Sequence, residues 1–237
     1  MISQINKKSS NRVVKINHVA IIMDGNRRWA KKKLLRTEDG HKNGIINAIS
    51  LLKSINKDKL IKVKYITLYV FAADNWKRSV SEINYLFKYI KDTYSKFENL
   101  SLSENFKINH FGSKKRLPNS IIKIINNVSV KTENNYGMNI NLAFNYSGRD
   151  EILNAIKAIN YKKQNISNLS AYLYSRETPD PDLIIRTGGE KRMSDFLIWQ
   201  SAYSELYFTK VLWPDFKIRN FRVAINDYIN RNRNYGK

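Results

Sequence analysis

Short apolar runs rich in β-branched and aromatic residues alternate along this chain with longer stretches whose apolar residues recur every three or four positions. Val19–Met23 reads as a buried strand ending at Asp24-Gly25. From Gly40 to Ile55, the residues Ile45, Ile46, Ile49, Leu52 and Ile55 recur at helical spacing. Tyr65–Ala73 is a second buried strand, and Val80–Phe97 is again helical, with Ile83, Leu86, Phe87, Ile90 and Tyr94 on one face. The spacing predicts strands over Lys107–Phe111, Met138–Phe144, Leu183–Ile185 and Leu206–Phe208. It predicts helices from Pro118, over Arg149–Ile159, Ser167–Tyr174 and Phe221–Ile229, with Phe196–Ala202 mixed. Such alternation selects an α/β fold: a single domain with a mainly parallel central sheet flanked by helices.

The 237 residues suffice for one such domain, and 42% are hydrophobic, so a packed interior is expected rather than disorder. Residues 1–15, MISQINKKSSNRVVK, are polar and basic without the apolar stretch of a secretory signal. They are expected to form a flexible basic arm, with residues 16–237 as the folded domain. No apolar run approaches the roughly 20 residues of a membrane helix. The chain has no cysteine, which excludes disulfides and thiolate metal sites and fits a cytoplasmic setting. Lysine and arginine exceed aspartate and glutamate by 42 to 20, a net charge of +22. Nucleic acid, phosphorylated substrates and an anionic membrane all suit that charge, as does plain lysine-rich solvated surface. The aromatics fall at core spacings rather than along one basic stripe, so no nucleic acid is expected, although a basic nucleic-acid-binding protein is the alternative of another class.

Parallel sheets bind ligands beyond the carboxyl ends of their strands. Three polar clusters follow strands here, beginning at Asp24, Asp74 and Arg186. Asp24 is placed to hold Mg²⁺, Gly25 lets the backbone turn, and Arg28 can grip phosphate. Read alone, the first cluster is equally an exposed Asp-Gly turn leading into a basic helix.

The segment His18–Ala30, HVAIIMDGNRRWA, with Gly40-His41, resembles the opening motif of the cis-prenyltransferases, the undecaprenyl diphosphate synthase family. Tyr69–Arg78, Asn141–Arg149, Asp182–Glu190, Phe196–Gln200, Ser204–Phe208 and Trp213–Phe216 resemble later motifs in the family's order. Long motifs in one order are far more specific than a single short pattern. The resemblance implies an undecaprenyl diphosphate synthase-like fold in residues 16–237. It implies a magnesium-dependent prenyltransferase of isoprenoid biosynthesis, usually homodimeric. Such an enzyme condenses isopentenyl diphosphate onto an allylic diphosphate, typically farnesyl diphosphate, to give a polyprenyl diphosphate. It implies catalytic positions at Asp24 and Asn75, and a metal site of Asp24 and Glu205. Substrate positions are implied at Gly25, Asn26, Arg27, Arg28, Trp29 and His41, at Ala72, Ala73, Asp74, Trp76 and Arg78, and at Arg186, Arg192, Met193 and Ser194. Asn75, a neutral amide, is expected to position the reacting groups rather than take a proton. Val70 is expected to influence the width of a hydrocarbon tunnel.

Each residue also has a plainer reading: His41 as a brace of its helix, Trp76 as core, Arg186 as a solvated turn residue, Glu205 as surface. The chain departs from the family at Thr37, where arginine is usual and Arg36 lies one place earlier. It departs again at Ala72, Asp74, Ser79 and Asp195, the last expected to place negative charge beside a diphosphate. A non-catalytic or partner-dependent subunit of the same family is the alternative within the fold. Transient contact with the inner membrane surface is a further expectation from the charge.

Overall fold

The computed structural model describes residues 13–161 and 166–232. Residues 1–12 of the expected arm lie outside the described residues, and its end is strand rather than arm, because β1 begins at Val14. Six strands form one sheet: β1 (Val14–Ile22), β2 (Ile61–Ala72), β3 (Lys107–Phe111), β4 (Asn139–Tyr146), β5 (Leu183–Arg186) and β6 (Glu205–Phe208). Their order is β3-β4-β2-β1-β5-β6, and every pairing is parallel. The helices are α1 (Asn26–Lys32), α2 (Thr37–Asn56), α3 (Val80–Ser103), α4 (Asn119–Lys131), α5 (Gly148–Tyr161) and α6 (Ile218–Ile229). The segment expected as a short helix near Ser167 is a 3-10 turn over Ile166–Tyr172.

Burial follows position in the sheet. β1 and β5 are central, and their final residues are buried without alternation, as strands covered on both faces require. Val19, Ile21, Ile66, Leu68, Ile140 and Ile185 pack one face against α2 and α6. Ala20, Ile22, Ala143 and Ile184 pack the other against Phe196 and Leu197. Helix α1 shows no period in the sequence because seven residues make only two turns, of which Trp29 and Ala30 are buried.

A polar ladder crosses four strands on the Ala20 face. Asn109 Nδ2 donates to Asn141 Oδ1 (3.0 Å), and Asn141 Nδ2 to Thr67 Oγ1 (3.0 Å). His18 continues it, with Nε2 2.7 Å from Thr67 Oγ1 and Nδ1 2.6 Å from the Pro179 carbonyl. A carbonyl only accepts, so Nδ1 carries the proton and Nε2 accepts from the Thr67 hydroxyl. Each link of the ladder then has one donor and one acceptor, and the ladder ties β3, β4, β2 and β1 to one register. His18 is 1% exposed, and burial lowers its pKa to about 4.

Connections from β1 lead to β2 on one side, while β5 and β6 lie on the other. The chain therefore leaves β1 at a switch point, where open α/β sheets form their ligand crevice.

Candidate active site

Asp24 lies two residues past the end of β1, beside Arg186 at the end of β5, and the register pairs Ile22 with Arg186. Arg186 Nη2 meets Asp24 Oδ2 at 2.9 Å, and Arg28 Nη2 meets Asp24 Oδ1 at 3.2 Å. Arg186 is 4% exposed, so its charge needs a carboxylate close by. Its Nη1 donates to Ser194 Oγ (2.7 Å) and to the Arg192 carbonyl. Arg28 Nη1 donates to the Gly188 carbonyl (2.6 Å) and lies 3.6 Å from Glu190, which also pairs with Arg192. Thr187 Oγ1 donates to the Asp24 carbonyl at 2.7 Å. Gly25 has φ of 114°, a conformation that suits glycine and turns the chain into α1. Gly44 is equally constrained by space: a Cβ there would lie 2.4 Å from Asn26 Oδ1.

The segment after Arg186 holds Ser194, Asp195 and Leu197 at φ values of 50°, 64° and 46°. Three non-glycine residues in the left-handed region need outside support. Arg186 holds Ser194, while the backbone amides of Gly148 and Arg149, opening α5, donate to the carbonyl and carboxylate of Asp195. The Asp195 carboxylate thus caps α5, and its charge still acts toward the cavity, where it raises the pKa of Tyr69 alongside burial. Behind it, buried Glu151 accepts from Tyr146 Oη (2.5 Å), Gln200 Nε2 (3.0 Å) and Tyr174 N (2.7 Å), and burial raises its pKa. Tyr69 stacks on Phe196 at 4.5 Å, and its hydroxyl donates to the Ser194 carbonyl (3.3 Å).

The third side of the site is the 3-10 turn Ala73–Lys77 with the first turn of α3. Asn75 Oδ1 accepts from the Ala72 amide at 3.0 Å, leaving its NH₂ as the free end. Glu82 was not singled out in the sequence, yet it organises this side. Its Oε1 accepts from His41 Nε2 (2.9 Å) and Arg78 Nη1 (3.0 Å). Burial raises the Glu82 pKa, but the His41 hydrogen bond and the charges of Arg78 and Arg27 outweigh it and hold the group below its ordinary value. Burial lowers the His41 pKa against the raising effect of the Glu82 hydrogen bond.

A cavity of about 350 Å³ opens here and runs between β2, β4 and helices α2, α3 and α4. Asp24, Asn26, His41, Ala72, Asn75, Arg78, Arg186 and Ser194 line it together. Deeper, its walls are apolar, with Ile45, Val70, Leu86, Ile90, Phe97 and Ile125 among them. The volume falls in the range of small-molecule sites. Among the described residues, three buried polar atoms at expected site positions lack a protein partner: Asn26 Oδ1, Trp29 Nε1 and Arg186 Nε. Such atoms await a ligand or water.

Other expected positions lie around this rim or apart from it. Arg27 is exposed, and acts on His41, Arg78 and Glu82 through its charge. Met193 packs beside Phe196. Trp29 is buried in α1, and Trp76 is half-buried, packed between Phe71 and Phe87 with Nε1 donating to Asn145 Oδ1. Arg116 covers the Trp76 ring at 4.6 Å. Asp74 is exposed and paired with Lys77 (2.7 Å), and Ala73 is the first residue of the same turn. Arg36 reaches Asp39 at 3.5 Å and does not turn into the site, so Thr37 leaves no arginine there.

Glu205 does not meet Asp24 within the chain. It opens β6, pairs in register with Leu183, and binds Arg231 at 2.6 Å. Leu183 lies three residues before Arg186, so Glu205 sits about 10 Å toward the opposite end of the sheet. Among the described residues, no group of three or more histidine, aspartate or glutamate side chains could hold a metal. Asp24 alone still suits Mg²⁺, which commonly takes one or two carboxylates and completes its shell with water and substrate phosphate.

Arginines and the Asp24 carboxylate at the entrance of an apolar cavity, at a sheet switch point, suit a ligand with an anionic head and an apolar tail. The family model described as "Putative undecaprenyl diphosphate synthase" matches residues 22–236, and the chain belongs to that family. An isoprenyl transferase of Clostridium acetobutylicum is 44% identical over 231 residues, 92% of this chain and 89% of that protein. The crystal structure of lavandulyl diphosphate synthase from Lavandula x intermedia, in complex with dimethylallyl diphosphate, superposes with a TM-score of 0.88. It is 31% identical, over 94% of this chain and 98% of that one. A probable undecaprenyl diphosphate synthase from Campylobacter jejuni gives 0.77 at 30% identity, over 94% and 99%. The chain is accordingly a prenyl-transferring enzyme that works by cis-prenyl chain elongation.

Proposed function

We propose that this enzyme extends an allylic diphosphate, farnesyl diphosphate first, by successive condensation with isopentenyl diphosphate, giving a polyprenyl diphosphate precursor of a lipid carrier. The observation that carries the substrate reading is the joining of one cationic rim to one apolar cavity. The allylic carbon–oxygen bond ionises and diphosphate departs. The double bond of isopentenyl diphosphate attacks the allylic carbon, a new carbon–carbon bond forms, and a proton is lost from the added unit. Arg27, Arg28 and Asn26 are assigned to the allylic diphosphate, with Arg78 and His41 beside them. Arg186, Arg192 and Ser194 are assigned to isopentenyl diphosphate. Guanidinium groups at both positions stabilise charge that grows as the bond ionises. The Asn75 amide, held by Ala72, positions the reacting groups through its NH₂ end. The cavity takes the hydrocarbon and excludes water from the cation.

Asp24 would hold Mg²⁺, which when bound supplies positive charge to the departing diphosphate. Glu205 enters such a site only from a partner copy, so the two-carboxylate metal reading depends on the homodimer. Exposed Trp199 and Tyr203, in the segment leading to the edge strand β6, support that homodimer. A cytoplasmic enzyme touching the inner membrane surface completes the reading, supported by the net charge of +22.

Purified protein given farnesyl diphosphate, radiolabelled isopentenyl diphosphate and Mg²⁺ is expected to move label into solvent-extractable lipid, and chelation is expected to stop it. Extracted label no higher than in the chelated control would overturn the proposal.

A further inference from the structure

We propose that the turn between α1 and α2 docks this enzyme on an anionic lipid surface, with Leu34 as the inserted side chain and Lys31, Lys32, Lys33 and Arg36 as the headgroup contacts. The turn begins as an ordinary helix end. The Leu34 amide donates to the Lys31 carbonyl (3.1 Å) and the Leu35 amide to the Ala30 carbonyl (2.9 Å). These are the two bonds of a Schellman motif, whose left-handed position normally holds glycine. Leu34 occupies it at φ 56°. A leucine there carries the steric penalty of the left-handed backbone, and burial does not offset it, because Leu34 is 95% exposed. Leu35 beside it is exposed as well. A local rule is broken with no compensating contact inside the protein, the pattern of a residue that serves a partner.

Charge selects the partner. All six residues from Lys31 to Arg36 are exposed, four of them cations around two leucines. Lys33 Nζ lies over the Trp29 ring at 4.7 Å, and Arg36 is 3.5 Å from Asp39, the nearest acid in the first turn of α2. The balance stays positive on a chain of net charge +22. Apolar side chains framed by lysines suit the boundary between headgroups and acyl chains. The position fits too. Asn26 at the start of α1 and His41 in α2 both line the cavity mouth. The turn lies one short helix, about 10 Å, beyond that rim.

The inference deepens the membrane-contact part of the reading above, and its test needs no turnover. Sedimentation of the full chain with sucrose-loaded vesicles compares phosphatidylcholine alone with phosphatidylcholine plus phosphatidylglycerol. Binding is expected only with the anionic lipid, falling as salt rises. Leu34→Gly is the decisive variant, because glycine suits the backbone: thermal stability should hold or rise while vesicle affinity falls about tenfold. Replacing Lys31, Lys32 and Lys33 with glutamine should cost up to about fivefold per cation. Leu34→Gly should leave turnover of detergent-dispersed substrate unchanged, which separates this inference from the catalytic reading. Equal vesicle binding by native and Leu34→Gly protein would overturn it. So would a Leu34-dependent self-association, or binding to an RNA duplex that outcompetes the vesicles.

Discussion

His18 turns the polar ladder into a measurable pH dependence. Its folded-state pKa of about 4 lies well below the ordinary 6.5, because burial disfavours the imidazolium. Protonation would also put a donor at Nε2, where the Thr67 hydroxyl already donates, and would break the ladder at its first link. Between pH 6.5 and 4 the unfolded chain binds a proton that the folded chain refuses, so stability falls as pH falls through that window. The contribution is fully present above pH 6.5 and fully lost below about 4. A displacement of two to three pKa units corresponds to about 3 kcal/mol. Urea unfolding of native protein and His18→Gln across this range isolates the effect, because His41 and His110 titrate in both. The native protein should lose about 3 kcal/mol more than the variant on going from neutral pH to pH 4. Parallel stability curves would refute the tautomer and the burial argument together.

Two further outcomes follow from the site. Glu82→Gln removes the carboxylate shared by His41 and Arg78. It should reduce kcat/KM at least tenfold, mainly through KM for the allylic substrate, and cost about 2 kcal/mol of stability; unaltered kcat/KM would remove Glu82 from the site. Asp195→Ala should lower stability by about 1 kcal/mol through loss of the α5 cap, while Asp195→Asn keeps most of it, as thermal unfolding would read.

The strand-and-helix alternation made the parallel sheet legible, and the clusters beginning at Asp24, Asp74 and Arg186 were legible because each lies at a strand's end. The same rule bore on Glu205. That residue is the first of its strand, so in an all-parallel sheet it belongs at the opposite end from Asp24. Glu82 was hidden for another reason. It is one acid in the first turn of an amphipathic helix, and its partner His41 lies 41 residues away, a distance no local pattern spans. Asp195 read as an unwelcome charge because its acceptor role depends on the α5 amides, 46 residues earlier. Leu34 was lost among lysines because an apolar residue in a polar turn reveals its exposure and backbone angle only in three dimensions.

The proposed mechanism requires the Asp24 rim and the apolar cavity to act as one site that lengthens a prenyl chain. Mass analysis of products from native protein and Asp24→Asn, with farnesyl and isopentenyl diphosphates and Mg²⁺, tests it most directly. The native enzyme is expected to give a series whose members differ by one five-carbon isoprene unit, and a folded Asp24→Asn variant no extension. An identical product series from both proteins, or none from the native enzyme, would contradict it.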